Sequence, residues 1–564
     1  MAITSAYPLP GLAFPDTALY PQPNGPWSIL IMKRNVDQVS RRSLLGTVGT
    51  MAALTSASSC GAAPRPTPNG TAGVLHAFDF GIVGMGDRDE TAAVQRFLDH
   101  CAASGAGIAD FGAMRVRISG PLKVHSVGIV FASIASVTGA PGFYPVGSGY
   151  TALTVTGAVM DFAIGIYGPR DEPARDGDTR ARINGVQFGA PDSSVELSLS
   201  FVRHVRVFNL AGFGVRYAAC WDSTFVNTSI EACGTIEQPA FDVTAAPPQT
   251  CNECVWVRVQ VELARGRAMH VSPLTLSCVF TKIHSERATA VKGQPTWQFG
   301  GACEYGSLRL EASNPADATA HFIGDQGRCT NLRSEGPTVV VDATGGTYRF
   351  DNPGAAVMRP SPDQNGRIVV TGGGIGRLEA GGNWLLIGTR IETLQGGFMP
   401  DPMRIVAQHC TIRQIKPQPG HVTANLDLYD CDIGTLCLEV DRDHLRRVTL
   451  HDSTRAGTMT TGMTITQTML EIGTGAVIVG NVRLSGGALQ IRGMIEGDLH
   501  VDGPCHAIAG FDARVTGQVR GWSAPVPGPF LGALPDGTRS KNLAPTAMSA
   551  GWVKADGAWV AQRN

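Results

Sequence analysis

Four glutamates end successive segments of this chain at nearly constant spacing, and basic and aromatic residues precede them. The segments read CVWVRVQVE from Cys254, CVFTKIHSE from Cys278, CEYGSLRLE from Cys303 and CTNLRSE from Cys329. Their glutamates step by 24, 25 and 24 residues, and their cysteines by 24, 25 and 26. Carboxylates held about 5 Å apart, or one step further, are the acid and base pairs of glycoside hydrolysis. The repeat therefore favours chemistry on a sugar polymer.

Two reactions draw on this repeat. Hydrolysis would use the glutamates, whereas elimination from a uronate needs a base and groups that neutralise its carboxylate. Tyr305 is the candidate acid for elimination. The candidate catalytic residues are Glu262, Glu286, Glu311, His284 and Lys282. In the alternative interpretation each glutamate closes a turn through backbone hydrogen bonds, and His284 is an ordinary exposed residue.

The same segments predict a binding surface. Strict alternation places Trp256, Phe280 and Tyr305 in one exposed column, where aromatic rings stack on sugars. Arg258 and Arg309 are the candidate partners of acidic groups on the polymer. A bend in the strand would shift the alternation and turn the rings inward, and this alternative stays open.

The elements that carry these residues are predicted to be strands. Apolar residues alternate with polar ones, as in Val259 and Val261, which is typical of a strand with one buried face. A repeat of about 24 residues without helical periodicity indicates coils of strands stacked into a solenoid. Apolar residues at helical spacing predict one helix over 90–103, which would cover the open end of the first coil.

The segment GIVGMGDRDETAAVQ, residues 81–95, resembles the N-terminal signature of pectate-lyase-superfamily and phage-tailspike-like proteins. Met85 and Gly112 depart from that signature, at positions without a chemical role. The resemblance implies an all-β, single-stranded right-handed parallel β-helix with an N-terminal capping helix, and by analogy with tailspikes a homotrimer. The expected domains are a cap with first coils over 76–130, the β-helix over 131–522, and a linker and cap over 523–564.

The N-terminal region predicts export. Residues 1–31 lack Lys and Arg and are interpreted as a non-native extension, and residues 32–63 resemble a twin-arginine export signal around Arg41 and Arg42. Cys60 is a candidate lipidation site, and 64–75 is a linker. The expected location is the periplasm, the outer membrane as a lipoprotein, or the medium.

Composition limits the kinds of partner and cross-link that are expected for this chain. A net charge of −1 gives no electrostatic basis for binding nucleic acid. The repeated cysteines favour a column of buried thiols over disulfides, with Cys254, Cys278, Cys303 and Cys329 stacked coil on coil. Neither a metal nor a cofactor is expected.

The sequence thus predicts an exported enzyme that cleaves a polysaccharide, of acidic type, by β-elimination or hydrolysis. The alternative is a non-catalytic polysaccharide-binding or surface and export accessory protein. One feature separates the enzyme from the binding protein: the enzyme requires an acid and base pair, drawn from Glu262 to Glu311, that lines a groove.

Overall fold

A computed structural model describes the chain from residue 73. The described ranges are 73–134, 139–168, 183–190, 195–244, 250–362, 364–396, 404–416, 425–438, 447–458, 463–465, 469–485, 488–502, 506–509, 513–520, 539–546, 549–555 and 558–562. The predictions on residues 1–63, including the export signal and Cys60, fall outside these ranges.

The predicted helix is confirmed to within one residue. Helix α1 spans Thr91–Ser104 and buries one apolar side, and Gly105, with φ 70°, ends it in the left-handed conformation. The buried carboxylate of Glu90 precedes α1 and accepts hydrogen bonds from the backbone N–H groups of Val83 and Gly84, at 2.7 and 3.0 Å. The signature segment therefore has a structural role, which is to anchor α1. A 3₁₀ helix, Ala77–Phe80, lies before it.

Strands form nearly all the remaining regular structure of the described ranges. Before residue 190 they are β1 to β10: Val74–His76, Met85–Asp89, Ile108–Gly112, Arg115–Ile118, Leu122–His125, Gly128–Phe131, Gly142–Pro145, Tyr150–Thr156, Met160–Tyr167 and Ile183–Phe188. Through the repeat they are β11 to β24: Leu197–Ser198, Phe201–Phe208, Val215–Tyr217, Cys220–Trp221, Thr224–Glu231, Phe241–Val243, Val255–Glu262, Met269–Val271, Leu276–Ala288, Trp297–Gly300, Ala302–Ala312, Thr319–Ile323, Arg328–Thr330 and Arg333–Asp342.

Shorter strands follow the repeat. They are β25 to β46: Thr347–Asp351, Gly354–Pro360, Arg367–Thr371, Gly374–Ala380, Asn383–Ile387, Arg390–Gly396, Arg404–Gln408, Thr411–Lys416, Asn425–Tyr429, Asp432–Leu436, Arg447–His451, Arg455–Gly457, Met463–Ile465, Met469–Ile472, Val477–Val479, Val482–Leu484, Ala488–Ile491, Met494–Glu496, Leu499–Val501, His506–Ala509, Arg514–Val515 and Val519–Arg520. Three antiparallel strands then form a separate sheet: β47 to β49, Arg539–Thr546, Ser549–Ala555 and Ala558–Gln562.

The strands stack in parallel, each beside its equivalents one coil earlier and one coil later. Strand β17, for example, pairs with β15 and β19, so that Val259 lies between Thr228 and Ile283. The same parallel pairing extends to β46. The predicted parallel β-helix is therefore confirmed, and a continuous core of inward side chains runs along it.

Each coil of the repeat bends at single residues in the left-handed conformation. Strand β17 bends at Arg258, with φ 61°, and this divides it into a first segment, 255–257, and a second segment, 259–262. Leu263, with φ 51°, makes the next bend, and β18 is the third segment of the coil. The bend inserts one extra residue between inward positions, so Trp256 and Val259 are both buried although they lie three residues apart.

The predicted exposed column of aromatic rings is therefore wrong. Trp256, Phe280 and Tyr305 are fully buried and stack along the core, with ring centroids 4.4 Å apart for the first pair and 5.1 Å for the second. The physical reason is the left-handed bend, which the alternation within the segment does not reveal. These three residues do not bind a substrate at the surface, because no face of their rings reaches solvent.

The thiol column is confirmed for three of its four members. Cys254, Cys278 and Cys303 are buried free thiols in successive coils, and hydrogen bonds link Cys278 to the other two. Cys329 is also buried and free, but it pairs in register with Tyr305 and so occupies the position of an aromatic ring. The constant step of the glutamates, rather than that of the cysteines, therefore gives the true register of the fourth coil.

Candidate functional site

The predicted glutamates lie on the outward side of the second segment, which we call the second face. Glu231, Glu262 and Glu286 are paired in register. Leu310 pairs with Ser285, so Glu311, the next residue, lies beside Glu286. Because neighbouring strands are about 4.8 Å apart, these carboxylates form a column along the axis. The predicted glutamate column is confirmed as a structural feature.

Three glutamates of this column lie beside a polar residue two positions earlier on their own strand, whereas Glu231 Oε2 accepts a hydrogen bond from Arg206 of the preceding coil, at 2.7 Å. The contacts are Gln260 to Glu262, His284 Nε2 to Glu286 Oε2 at 3.9 Å, and Arg309 Nε to Glu311 Oε1 at 2.5 Å. These contacts favour a structural role for the glutamates.

A second column on this face holds the basic residues. Its members, in register, are Arg206, Ser229, Gln260, His284, Arg309, Arg333, Gly354, Gly374 and Arg390. Glycine therefore replaces arginine in two successive coils of this column, and arginine recurs in the next coil. The missing side chains leave a groove of about 600 Å³, lined by Arg309, Arg333 and the two glycines, with Asn331 and Asn352 beside them.

The two glycines that form the floor of this groove are not required by the backbone. A Cβ atom at Gly374 would meet nothing within 4 Å, and one at Gly354 would meet only the Leu332 carbonyl, at 3.4 Å. Neither residue has a positive φ, whereas the adjacent Gly373 has φ 71° and lies against the backbone of Pro353. The fold therefore requires glycine at position 373 but not at position 374, where the absence of a side chain leaves open space above the strand.

Exposed cations without acidic partners lie in the groove and along the face that carries it. Arg333 lines it and Arg390 follows Gly374 in register, and neither makes an ion pair with any residue in the described ranges. Arg258 and Lys282 are exposed at the bend beside the same face and likewise have no ion-pair partner among the described residues. The second face therefore carries positive charge that is available to a ligand.

The predicted catalytic carboxylates do not lie in this groove. Glu262, Glu286 and Glu311 are absent from its lining, and an adjoining groove of about 540 Å³ shares Arg333, Gly354 and Gly374 but contributes Glu335. Among the described residues that line these two grooves, Glu335 is the single carboxylate. The acid and base pair that would have marked a hydrolase is therefore not found there.

Another polar cluster lies on the outward side of the third segment, which we call the third face. Its side chains are in register in successive coils: Arg216, Asp242, His270, Gln298 and His321. Arg216 Nε donates to Asp242 Oδ2 at 2.7 Å, and His270 Nδ1 contacts Asp242 Oδ1 at 2.8 Å. The sequence analysis missed this cluster because its members are separated by loops of unequal length.

The described residues contain no group of three or more His, Cys, Asp or Glu side chains that could hold a metal ion. Nor does any helix within the described ranges have the length and apolar character needed to cross a membrane.

Comparison with known proteins gives similarity only at the level of solved structures. The sequence matches no protein-family model and no curated protein. ORF18 of Geobacillus virus E2 is 11% identical, with 70% of this chain and 64% of that chain covered and a TM-score of 0.27. PfbA, a surface adhesin of Streptococcus pneumoniae, is 8% identical, with 87% and 98% covered and a TM-score of 0.23.

A third similar structure is the A-module of the mannuronan C-5 epimerase AlgE4 from Azotobacter vinelandii. It is 13% identical, with 77% of this chain and 100% of that chain covered and a TM-score of 0.17. This chain spans less than two thirds of the length of the viral protein, at 64%. Similarity at this level assigns no activity to the chain, whose class as a parallel β-helix protein is defined by its own strand pairing.

Proposed function

We propose that this protein binds an anionic polysaccharide along its second face. The observation that carries the proposal is the groove with a glycine floor between Arg333 and Arg390, two exposed cations without ion-pair partners in the described ranges. An extended groove suits a polymer, and guanidinium groups recognise carboxylates through paired hydrogen bonds. Arg258 and Lys282 would extend the positive surface along the axis.

The position of the predicted catalytic carboxylates favours binding over cleavage. Glu262, Glu286 and Glu311 do not line the groove above Gly354 and Gly374. Cleavage by β-elimination or hydrolysis is the alternative function, and His284 with Glu286 is its remaining candidate pair. Export of the chain, its lipid anchor and a homotrimer stay predictions of the sequence and of the resemblance.

The test is to fill the groove without disturbing the fold. In the Gly374→Leu variant the new side chain starts in open space and projects above the floor. Gly107→Leu is the matched control, because a Cβ atom at Gly107 also meets nothing within 4 Å and its φ is not positive. Binding of a polyuronate, measured by isothermal titration calorimetry, is expected to weaken at least tenfold in Gly374→Leu alone.

Two further measurements complete this test. Binding to the wild type should fall as salt is raised, since exposed charges are screened within about 10 Å at 0.1 M ionic strength. Incubation with the same polymer should yield neither unsaturated products, followed by absorbance, nor new reducing ends. Equal affinity of Gly374→Leu and the wild type would contradict the proposed groove, and product formation would establish the enzymatic alternative.

A further inference from the structure

A cavity of about 790 Å³ lies where helix α1 meets the first coils. Asp99 of α1 lines one side of it, and Lys123 of β5 and Thr154 of β8, which pair in register, line another. Its lining falls between residues 95 and 195, whereas the grooves of the second face are lined by residues from 307 onward. Sites for small molecules usually have volumes of about 300–1,000 Å³, so this cavity is large enough for such a ligand.

The side chain of Gln95 fixes α1 against β5 at this cavity. Its Nε2 donates to the backbone carbonyl of Lys123 at 2.8 Å, and the backbone N–H of Lys123 donates to its Oε1 at 2.9 Å. The same Nε2 donates to Asp99 Oδ1, at 2.8 Å. One amide group therefore holds the carboxylate of Asp99 beside the backbone of Lys123, and both charged residues line the same cavity.

Asp99 and Lys123 carry opposite charges but do not pair with each other. Both are exposed, and neither makes an ion pair with any residue of the described ranges. A bound ligand with a single charge would meet one of them and take the other out of water without compensation, which is unfavourable. A ligand that carries both an ammonium and a carboxylate group would pair with both.

Aliphatic side chains complete much of the lining. They include Leu98 and Ala102 of α1, Val124 of β5, and Val195. Val195 is 42% exposed, so apolar surface is open to a ligand at this cavity. Contact with an aliphatic group would remove that surface from water, which is favourable in proportion to the area buried.

We propose that this cavity binds a small aliphatic zwitterion, an amino acid or a dipeptide with free ends. The ammonium group pairs with Asp99, the carboxylate pairs with Lys123, and the aliphatic body packs against Leu98, Ala102 and Val195. The hydroxyl group of Thr154 is a hydrogen-bonding partner for the ligand on the same side as Lys123. This site is separate in position and in ligand chemistry from the polysaccharide groove.

The experiment titrates the full chain with L-leucine and with the dipeptide Leu-Leu by isothermal titration calorimetry. Each probe is also used in its N-acetylated form, which lacks the ammonium group, and in its C-amidated form, which lacks the carboxylate. The wild type should bind at least one free probe at least tenfold more tightly than either of its blocked forms. Tighter binding of L-leucine identifies an amino acid as the ligand, and tighter binding of Leu-Leu identifies a dipeptide.

Two charge variants assign the ends of the ligand. Asp99→Asn should lose the preference for the free over the N-acetylated probe and keep the preference over the amidated probe. Lys123→Met should show the opposite pattern. A structural role of either residue would instead weaken the binding of all forms alike and leave both preferences in place, which would contradict the proposal.

A matched pair of variants on α1 tests the cavity itself. Ala102→Leu fills part of the cavity and should weaken binding of the free probe at least tenfold. Ala103→Leu is the control, because Ala103 is also exposed on α1 but does not line the cavity, and it should bind as the wild type does. The proposal is overturned if the wild type binds neither free probe, if free and blocked forms bind equally, or if Ala102→Leu keeps the wild-type affinity.

Discussion

Truncation of Trp256 tests whether the aromatic column is core or ligand surface. The indole ring is fully buried and stacks between two other rings, Phe225 at 5.2 Å and Phe280 at 4.4 Å between centroids. Trp256→Ala removes these contacts and leaves a cavity in the centre of the coil. A surface role would instead predict a loss of affinity with little loss of stability.

The expected magnitude follows from the burial of the ring. A buried aromatic side chain removes about 150–250 Å² from water, which at about 25 cal/mol per Å² is worth about 4–6 kcal/mol. Measured truncations of buried Phe and Trp to Ala cost about 3–5 kcal/mol. We therefore expect Trp256→Ala to lower the free energy of unfolding by about 4 kcal/mol.

The assay is urea denaturation followed by circular dichroism, with Trp256→Phe as the matched control. Phe keeps a stacked ring in the column, so its loss should be well below that of Ala. Affinity for a polyuronate, measured where Trp256→Ala is still folded, should equal that of the wild type. A variant of unchanged stability that no longer binds the polymer would refute the buried column.

Two other predictions concern buried ionisable groups. Burial alone would raise the pKa of Asp242, but the hydrogen bond with His270 and the charge of Arg216 lower it below its ordinary value. The carboxylate therefore contributes stability that is complete above the unfolded-state pKa of about 3.9 and is lost as pH falls through the native pKa. Asp242→Asn should cost about 3 kcal/mol at neutral pH, with a smaller difference in acid, as measured by urea titrations; equal stability at neutral pH would contradict this. Hydrogen bonds with Cys254 and Cys303, together with burial, raise the pKa of the Cys278 thiol, so a thiol reagent should modify Cys278 only after denaturation; rapid labelling of Cys278 in the native protein would refute this.

The fold was predictable because its repeat is visible in residue types. The 24-residue step from Glu262 to Glu286 matches the pairing of these two residues in register in the structure. The left-handed bends were not predicted, because Arg258 and Lys282 are not residue types that favour a positive φ. Asn227 occupies the position of Arg258 in the preceding coil. It was the available signal of a bend, since asparagine adopts the left-handed conformation more readily than most residues.

The candidate site was predictable only in part. The glutamate column and the exposure of Arg309 follow from alternation within the second segment, and Arg258 is exposed at the bend that precedes this segment. The groove was not predicted because it arises where side chains are absent from a column, at Gly354 and Gly374. These two glycines lie where the spacing of the repeat is no longer constant. The cluster around Asp242 is assembled from coils of unequal length, so no constant spacing marks it in the sequence.

The column that contains Arg333, Gly354, Gly374 and Arg390 fixes the separation of its charges in whole coils. Three steps of about 4.8 Å place the backbone positions of the two arginines about 14 Å apart. Insertion or deletion of a coil would change this separation by one full step and by no smaller amount. In the proposed binding mode, the second face would therefore select ligands by the interval between their negative groups as well as by their charge.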